Sequence, residues 1–374
     1  MPQIDARLVQ ALNERLFCYL SGMDVRDWLR LLRENRFAVD PPYWPRAAYV
    51  TAESVRTSVY RIREEKVFGA AVAATEIQPP LFILGHARSG TTHLQRLLAA
   101  DERFASPNVY QVNRPHTFLS TESTRAKRMA SWVPKTRPMD GMTLSVDAPE
   151  EDEPALALLT RCSPFLERMF PRHRARYRRY VSFRRASAAD LSRWKGGFVW
   201  FLKKLTWKYG RPLVLKSPYH TARIRLLMEL FPGARFLHIH RHPHAVFRSI
   251  YHQYMSTMRL NALQRDDPRT FEDHIVERYR EVYDAFCDQR PLIPPGHFHE
   301  LRYEDLKRDP VGELRQAYDA LALEWSDELE FKLGRYLNAI HGYRPNIFPE
   351  LAPAIRRRLA HAWQRSFDEW GYRP

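Results

Sequence analysis

Residues 81–98 constrain the fold more than any other stretch of the chain. Leu81-Phe82-Ile83-Leu84 is a short uninterrupted apolar run, the pattern of a strand buried on both faces of a parallel sheet. Gly85-His86-Ala87-Arg88-Ser89-Gly90-Thr91-Thr92 follows at once, and His93-Leu94-Gln95-Arg96-Leu97-Leu98 continues as a helix. Strand, glycine-bounded loop and helix in that order aim backbone N–H groups and a helix N-terminus at one anion. The spacing is that of a nucleotide phosphate loop, with Thr91 where the loop lysine normally stands. That lysine reaches the β- and γ-phosphates, so the loop suits one 5′-phosphate group better than a nucleoside triphosphate. Arg88 lies inside the loop instead, always charged and able to fork onto phosphate or sulfate oxygens.

Three further apolar runs repeat the strand signal: Leu213-Val214-Leu215, Phe236-Leu237-His238-Ile239 and the weaker Phe298-His299-Glu300-Leu301. Helical patterns separate them, which predicts an α/β fold with a parallel sheet flanked by helices. Before Pro79-Pro80 the chain reads as a helical N-terminal extension, residues 1–78. Ile4, Leu8, Leu12 and Leu16 recur at helical spacing, Asp24 fits a helix cap, and a third helix is expected from Ala52 to about Val67. Residues 79–374 then form the phosphate-loop domain, with a helical insertion over about 100–210 and a helical C-terminal part over about 311–374.

A second anion site is expected one strand away. Arg241 ends the third apolar run, His242-Pro243-His244 follows, and Ser249 sits inside the next helix. An arginine at a strand's carboxyl end and a serine on the following helix can converge on one phosphate. Two such sites together call for a ligand with two separated anionic ends. At this point the chain resembles the 3′-phosphoadenosine 5′-phosphosulfate (PAPS)-dependent sulfotransferases. Phe82 to Leu94 is similar to that family's 5′-phosphosulfate loop, and Arg241 with Ser249 to its 3′-phosphate pair. Leu215-Lys216-Ser217-Pro218-Tyr219-His220 resembles the strand-end motif of the family's bacterial branch, and Arg302-Tyr303-Glu304-Asp305-Leu306 a further stretch of the fold.

The resemblance implies a sulfuryl transfer from PAPS to a hydroxyl, with the helical insertion on the acceptor side. It implies that Arg88, Ser89, Gly90, Thr91 and Thr92 hold the 5′-phosphosulfate, that Arg241 and Ser249 hold the 3′-phosphate, and that Tyr303 lies near the adenine. Transfer at sulfur by in-line displacement rests on positioning and charge stabilisation, for which Arg88 and Lys216 are the cations. Family members that use a histidine base carry it two residues after the lysine. Pro218 stands there, and His220 is the nearest histidine. The acidic stretch Asp147-Ala148-Pro149-Glu150-Glu151-Asp152-Glu153 is therefore the expected source of the base, Glu151 first and Glu153 second. It reads as a helix start, with Pro149 in the first turn.

The formal charge of +16 suits an anionic ligand, and equally nucleic acid or an anionic membrane surface. Two other classes stay open on that ground: a phosphate-loop kinase or other nucleotide-dependent transferase, and a non-catalytic basic protein binding nucleic acid or membrane. Arg172 to Tyr180 is a basic run with interleaved aromatics, read as a solvated face. Trp194 to Trp207 is an aromatic helix read as packed against the sheet. Peripheral contact with an anionic membrane fits both, whereas sequence-specific nucleic-acid binding is not expected. His238, His240, His242 and His244 alternate, but no carboxylate or cysteine stands beside them in the sequence, so no metal is expected. Three widely spaced cysteines and a start without a leader-like apolar run predict a cytoplasmic protein with reduced thiols.

Overall fold

Four short strands, Leu81–Leu84 (β1), Val214–Lys216 (β2), Arg235–His240 (β3) and Phe298–Arg302 (β4), form one parallel sheet in the order β2-β1-β3-β4. The computed structural model describes residues 18–374 except 132, 134, 135 and 345. The helix expected around Ile4 to Leu16 lies outside the described residues. Register places Leu81 beside Val214 and Arg235, and His240 beside Arg302, so β3 runs two residues past the end of β1. The chain leaves β1 to one side for β2 and returns to the other side for β3. Adjacent β1 and β3 therefore flank the switch point, where the carboxyl ends of an open sheet leave a crevice.

Strand alternation splits the core in two. Phe82, Leu84, Leu215 and Phe236 face one cluster, which also takes in Trp28, Leu31 and Val50 from the N-terminal region and Trp194, Phe198 and Phe201 from the insertion. Leu81, Ile83, Leu237 and Ile239 face the other, packed on Leu94, Leu97 and Leu98 and on Leu314, Tyr318 and Leu333. Both faces are covered, which is why the strands read as continuous apolar runs.

Asp24 caps the helix Val25–Glu34, its carboxylate accepting the Arg26 N–H at 2.8 Å. The next helix spans Trp44–Ala74, longer at both ends than the periodicity predicted. Pro45 is tolerated in its first turn, and the alanines at 70, 71, 73 and 74 carry it on at little cost in side-chain entropy. The insertion contains the helices Val109–Asn113, Phe118–Ala130, Glu153–Thr160, Arg174–Arg178 and Ala188–Tyr209. Within the last of these, Trp194, Phe198, Phe201 and Leu205 are buried, so it packs inward as expected.

The basic run is partly solvated, as expected, but its charges are paired. Arg172 pairs with Asp40, Arg174 with Asp266, Arg176 with Glu34, Arg178 with Glu277 and Glu281, and Arg179 with Asp190, while Tyr177 and Tyr180 are buried. It ties the insertion to three other regions of the chain.

The alternating histidines have a partner the sequence did not show. His238 Nδ1 lies 2.7 Å from Glu300 on β4, and the His240 ring stacks on Trp370 at 4.9 Å. The C-terminal aromatics thus close over β3. Among the described residues no group of three or more histidine, cysteine, aspartate or glutamate side chains is placed to hold a metal. Cys18, Cys162 and Cys287 are all free thiols. No helix among the described residues is long and apolar enough to cross a membrane.

Candidate active site

The loop after β1 is held open by two glycines. Gly85 has φ +143°, and a β-carbon there would sit 2.5 Å from the Ile239 carbonyl oxygen of β3. Gly90 has φ +108°, and a β-carbon there would sit 2.4 Å from the Tyr303 ring. Between them Arg88 takes φ +72°, a strained geometry for a residue with a side chain. The loop's own bonds run inward: the Gly85 N–H donates to Thr221 Oγ1 at 2.7 Å, and the Ser89 hydroxyl to the His86 carbonyl at 2.8 Å. The Ser89 N–H donates to the same carbonyl at 3.1 Å, so both donors of Ser89 are spent inside the loop. The helix Thr91–Leu98 begins here, and the backbone N–H groups of Gly90, Thr91 and Thr92 donate to no acceptor among the described residues. Three unsatisfied donors on a helix N-terminus form a cradle for an anionic oxygen.

Arg241 ends β3 across the switch point. Its guanidinium lies 4.4 Å over the Tyr303 ring and donates to the Arg88 carbonyl at 3.3 Å. Pro243 starts the helix Pro243–Thr257, with His242 as its cap, and Ser249 is buried in its second turn. Ser249 Oγ accepts from Arg88 Nε at 2.9 Å, and Arg88 Nη1 donates to Asp140 at 2.8 Å. The Arg88 side chain therefore links the loop after β1 to the helix after β3. Burial would raise the Asp140 carboxyl, but Arg137 and Arg88 beside it hold it below the usual carboxylate range. Neither Asp140 nor Arg137 carries a sequence signal, since each sits in an irregular loop without periodicity or motif.

The acidic stretch departs most from expectation. Pro149 does not open a helix; it bridges to Asn108 in an isolated antiparallel pair, and the helix starts at Glu153 with Pro154 in its first turn. Asp152, with φ −78° and ψ −18°, already turns toward the helix, and the three carboxylates meet different partners. Glu151 Oε1 accepts from Lys216 Nζ at 3.0 Å, and its side chain keeps 29% of its surface open. Asp152 meets His220 Nε2 at 2.8 Å, with both side chains 0% exposed. Glu153 is 1% exposed and binds both guanidinium nitrogens of Arg223, at 2.8 and 3.1 Å, as well as the hydroxyls of Ser163 and Ser217 at 2.6 and 3.1 Å.

Two candidate bases are thereby corrected. Glu153 is the buried anchor of an ion pair, and His220 is walled in by Phe82 and Phe198 at ring distances of 5.4 Å. Neither reaches open space. Burial works against charge on all three carboxyls. Lys216 overcomes it at Glu151 and Arg223 at Glu153, holding both below the ordinary glutamate range. At Asp152 burial prevails and the carboxyl is raised.

Lys216 ends β2 and also reaches Thr92 Oγ1 at 3.3 Å, and Arg137 Nη1 reaches the same hydroxyl at 3.3 Å. Two cations thus converge on the first turn of the loop helix, with Glu151 on the far side of Lys216. Arg168, which sequence reasoning passed over, stacks 5.5 Å from Phe165 and makes no hydrogen bond or ion pair among the described residues. It lines a small cavity with Glu167, Gln253 and Tyr254, one turn along the helix from Ser249. Glu151 feels its charge. Its only sequence signal was a place just before the basic run.

Residues 79–327 match the sulfotransferase family. The chain is 36% identical over 352 residues to the omega-hydroxy-beta-dihydromenaquinone-9 sulfotransferase Stf3 of Mycobacterium bovis, covering 94% of this chain and 90% of that one. The same figures hold for Stf3 of Mycobacterium tuberculosis. Among solved structures, sulfotransferase STF9 from Mycobacterium avium superposes with a TM-score of 0.71 at 19% identity over 98% of both chains. STF1 from Mycobacterium tuberculosis superposes with a TM-score of 0.63 at 17% identity, over 96% of this chain and 99% of that one. At such identities the two structures speak for the fold alone.

Proposed function

The chain belongs to the sulfotransferase family, and from that premise we propose that its donor is PAPS and that Glu151 is the base acting on the acceptor hydroxyl. The observation that carries the reading is the meeting at one crevice of three unsatisfied loop N–H groups, the Arg241–Ser249 site and the Lys216–Glu151 pair. PAPS supplies the sulfuryl group, and in-line displacement at sulfur leaves adenosine 3′,5′-bisphosphate.

Each group has a task that its position supports. The Gly90, Thr91 and Thr92 N–H groups bind the 5′ end of the donor, and Arg241 with Ser249 binds the 3′-phosphate. Arg88, lying between them, neutralises both. Tyr303, beside Gly90 and under Arg241, offers a flat wall for the base. Lys216, already turned to Thr92, balances negative charge growing on the leaving oxygen. Glu151 is ionised at neutral pH because its carboxyl is held below the ordinary range, and it takes the proton from the attacking hydroxyl. The Asp152–His220 and Glu153–Arg223 pairs hold the neighbouring residues inward, leaving Glu151 at the crevice.

For the acceptor, the 36% identity to proteins named for an omega-hydroxylated dihydromenaquinone supports a hydroxyl-bearing lipid. The donor assignment is tested by thermal shift without added metal. Adenosine 3′,5′-bisphosphate should stabilise the protein, and ATP with magnesium or duplex DNA should not. A larger shift with ATP and magnesium would overturn it in favour of a kinase. The acceptor class is tested by transfer of labelled sulfate from PAPS to an ω-hydroxylated isoprenoid and to a monosaccharide; preference for the sugar overturns it.

A further inference from the structure

The helix Trp44–Ala74 has a face that the rest of the molecule leaves bare. Thirty-one residues at 1.5 Å each make it about 46 Å long. Its inner face buries Arg46, Val50, Glu53, Ser54, Thr57 and Glu64. On the opposite face, Trp44 is 61% exposed, Val55 51%, Val59 45% and Ile62 61%. At about 100° per residue these four fall within roughly 60° of arc, so they form a continuous stripe and not a scatter of surface residues. Ala48, Ala52, Ala70 and Ala73, partly or fully exposed, extend it.

Arg63 and Lys66 are exposed along the stripe without a carboxylate partner among the described residues. The helix's carboxylates are occupied elsewhere: Glu53 pairs with Arg56, Glu64 with Lys204, and Glu65 with Arg61. The neighbouring helix Val25–Glu34, joined by the Trp28 Nε1 bond to Thr51 Oγ1 at 2.9 Å, adds exposed Arg26, Leu29, Arg30 and Arg33. None of the residues at the donor crevice lies on either helix.

An apolar stripe flanked by cations matches the boundary of an anionic bilayer, where apolar side chains sink below the headgroups and basic ones stay among them. A second copy fits poorly, because two such faces would bring like charges together on a chain of formal charge +16. We propose that the Trp44–Ala74 face docks on anionic lipid, with Val55, Val59 and Ile62 in the apolar boundary and Arg63 and Lys66 at the headgroups. The surface differs from the basic run and the aromatic helix that stand out in the sequence, because the basic run is consumed by internal ion pairs and most of the large apolar side chains of the aromatic helix are buried. It does not depend on what the acceptor is.

The test is flotation of the full chain with phosphatidylcholine vesicles, with and without phosphatidylglycerol. Binding should require phosphatidylglycerol and weaken several-fold as salt rises to about 0.5 M. The double variant Val59→Glu/Ile62→Glu should lower partitioning roughly tenfold or more, and Arg63→Glu/Lys66→Glu several-fold. Neither pair touches the donor site, so unchanged binding of adenosine 3′,5′-bisphosphate shows that the variants are folded. The proposal is overturned if the unmutated chain ignores anionic vesicles, or if the variants bind them equally well. It is also overturned if light scattering shows a dimer that Val59→Glu/Ile62→Glu splits, since the face would then join two copies.

Discussion

The two sides of the crevice handle charge in opposite ways. At the ends of β1 and β3, Arg88 is paired with Asp140 and Ser249, but other polar groups are left open: three loop N–H groups have no acceptor among the described residues, and Arg241 touches only a carbonyl and a ring there. On the side built by the stretch from Pro149 to Glu153, the polar groups are almost all spent. Asp152 and Glu153 are sealed against His220 and Arg223, whereas Glu151, against Lys216, and Glu150, which accepts the Glu151 N–H at 2.9 Å, keep contact with open space. Adjacent carboxylates of the same chemistry thus divide into sealed and accessible ones according to what stands opposite them. An open group binds; a spent group holds another group in place.

The largest effect should come from breaking a scaffold pair. Glu153→Gln leaves the buried Arg223 guanidinium without its counter-charge, at a cost of about 3–5 kcal/mol in stability. Denaturant unfolding reads this directly, and the molecules that remain folded should turn over near normally. Glu151→Gln should do the reverse. It keeps the shape, removes the basicity, lowers kcat by about 100-fold or more, and leaves both stability and donor affinity nearly unchanged. If both variants lose stability equally and neither loses turnover selectively, the assignment of Glu153 as anchor and Glu151 as base is wrong.

On the open side, Arg241→Ala should weaken binding of adenosine 3′,5′-bisphosphate by roughly 10- to 100-fold and affect adenosine 5′-monophosphate far less, since a charge-assisted phosphate contact is lost. Equal losses for the two nucleotides, measured by calorimetry, would move the 3′-phosphate site elsewhere.

The smallest effect is in pH. Glu153 has a folded pKa below its unfolded one, so its contribution to stability is complete above the ordinary glutamate range and is lost as pH falls through the folded value. Asp152, raised by burial, works in the opposite direction. The denaturant midpoint should therefore change little between pH 7 and 5 and drop below about pH 4. Glu153→Gln should flatten that drop; a slope identical to that of the unmutated protein would show that Glu153 is not the titrating group.

Much of the donor side is legible in the amino-acid sequence, because it is made of local pattern. An apolar run, glycines at both ends of a loop, a helix directly after it, and Arg241 ahead of Pro243 each announce their geometry within a dozen residues. The acidic side is legible only as a cluster. A helix start is expected at Pro149, but Pro149 is held in a bridge to Asn108 and the helix begins only at Glu153. The pairing of the basic run is not legible for the same reason, since Asp40, Glu34, Asp266, Asp190, Glu277 and Glu281 arrive from distant parts of the chain.

The sequence by itself determined the parallel α/β sheet, the anion loop at the end of β1 and the second cation at the end of β3, since backbone geometry and side-chain periodicity are set by near neighbours. Only the tertiary structure decided which carboxylate is available for chemistry. Glu151, Asp152 and Glu153 differ little in their local surroundings, and each meets a partner 65 to 70 residues further on. Whether a charge is spent or free depends on the group the fold brings against it and on how much water is left between them, and neither is written in adjacent residues.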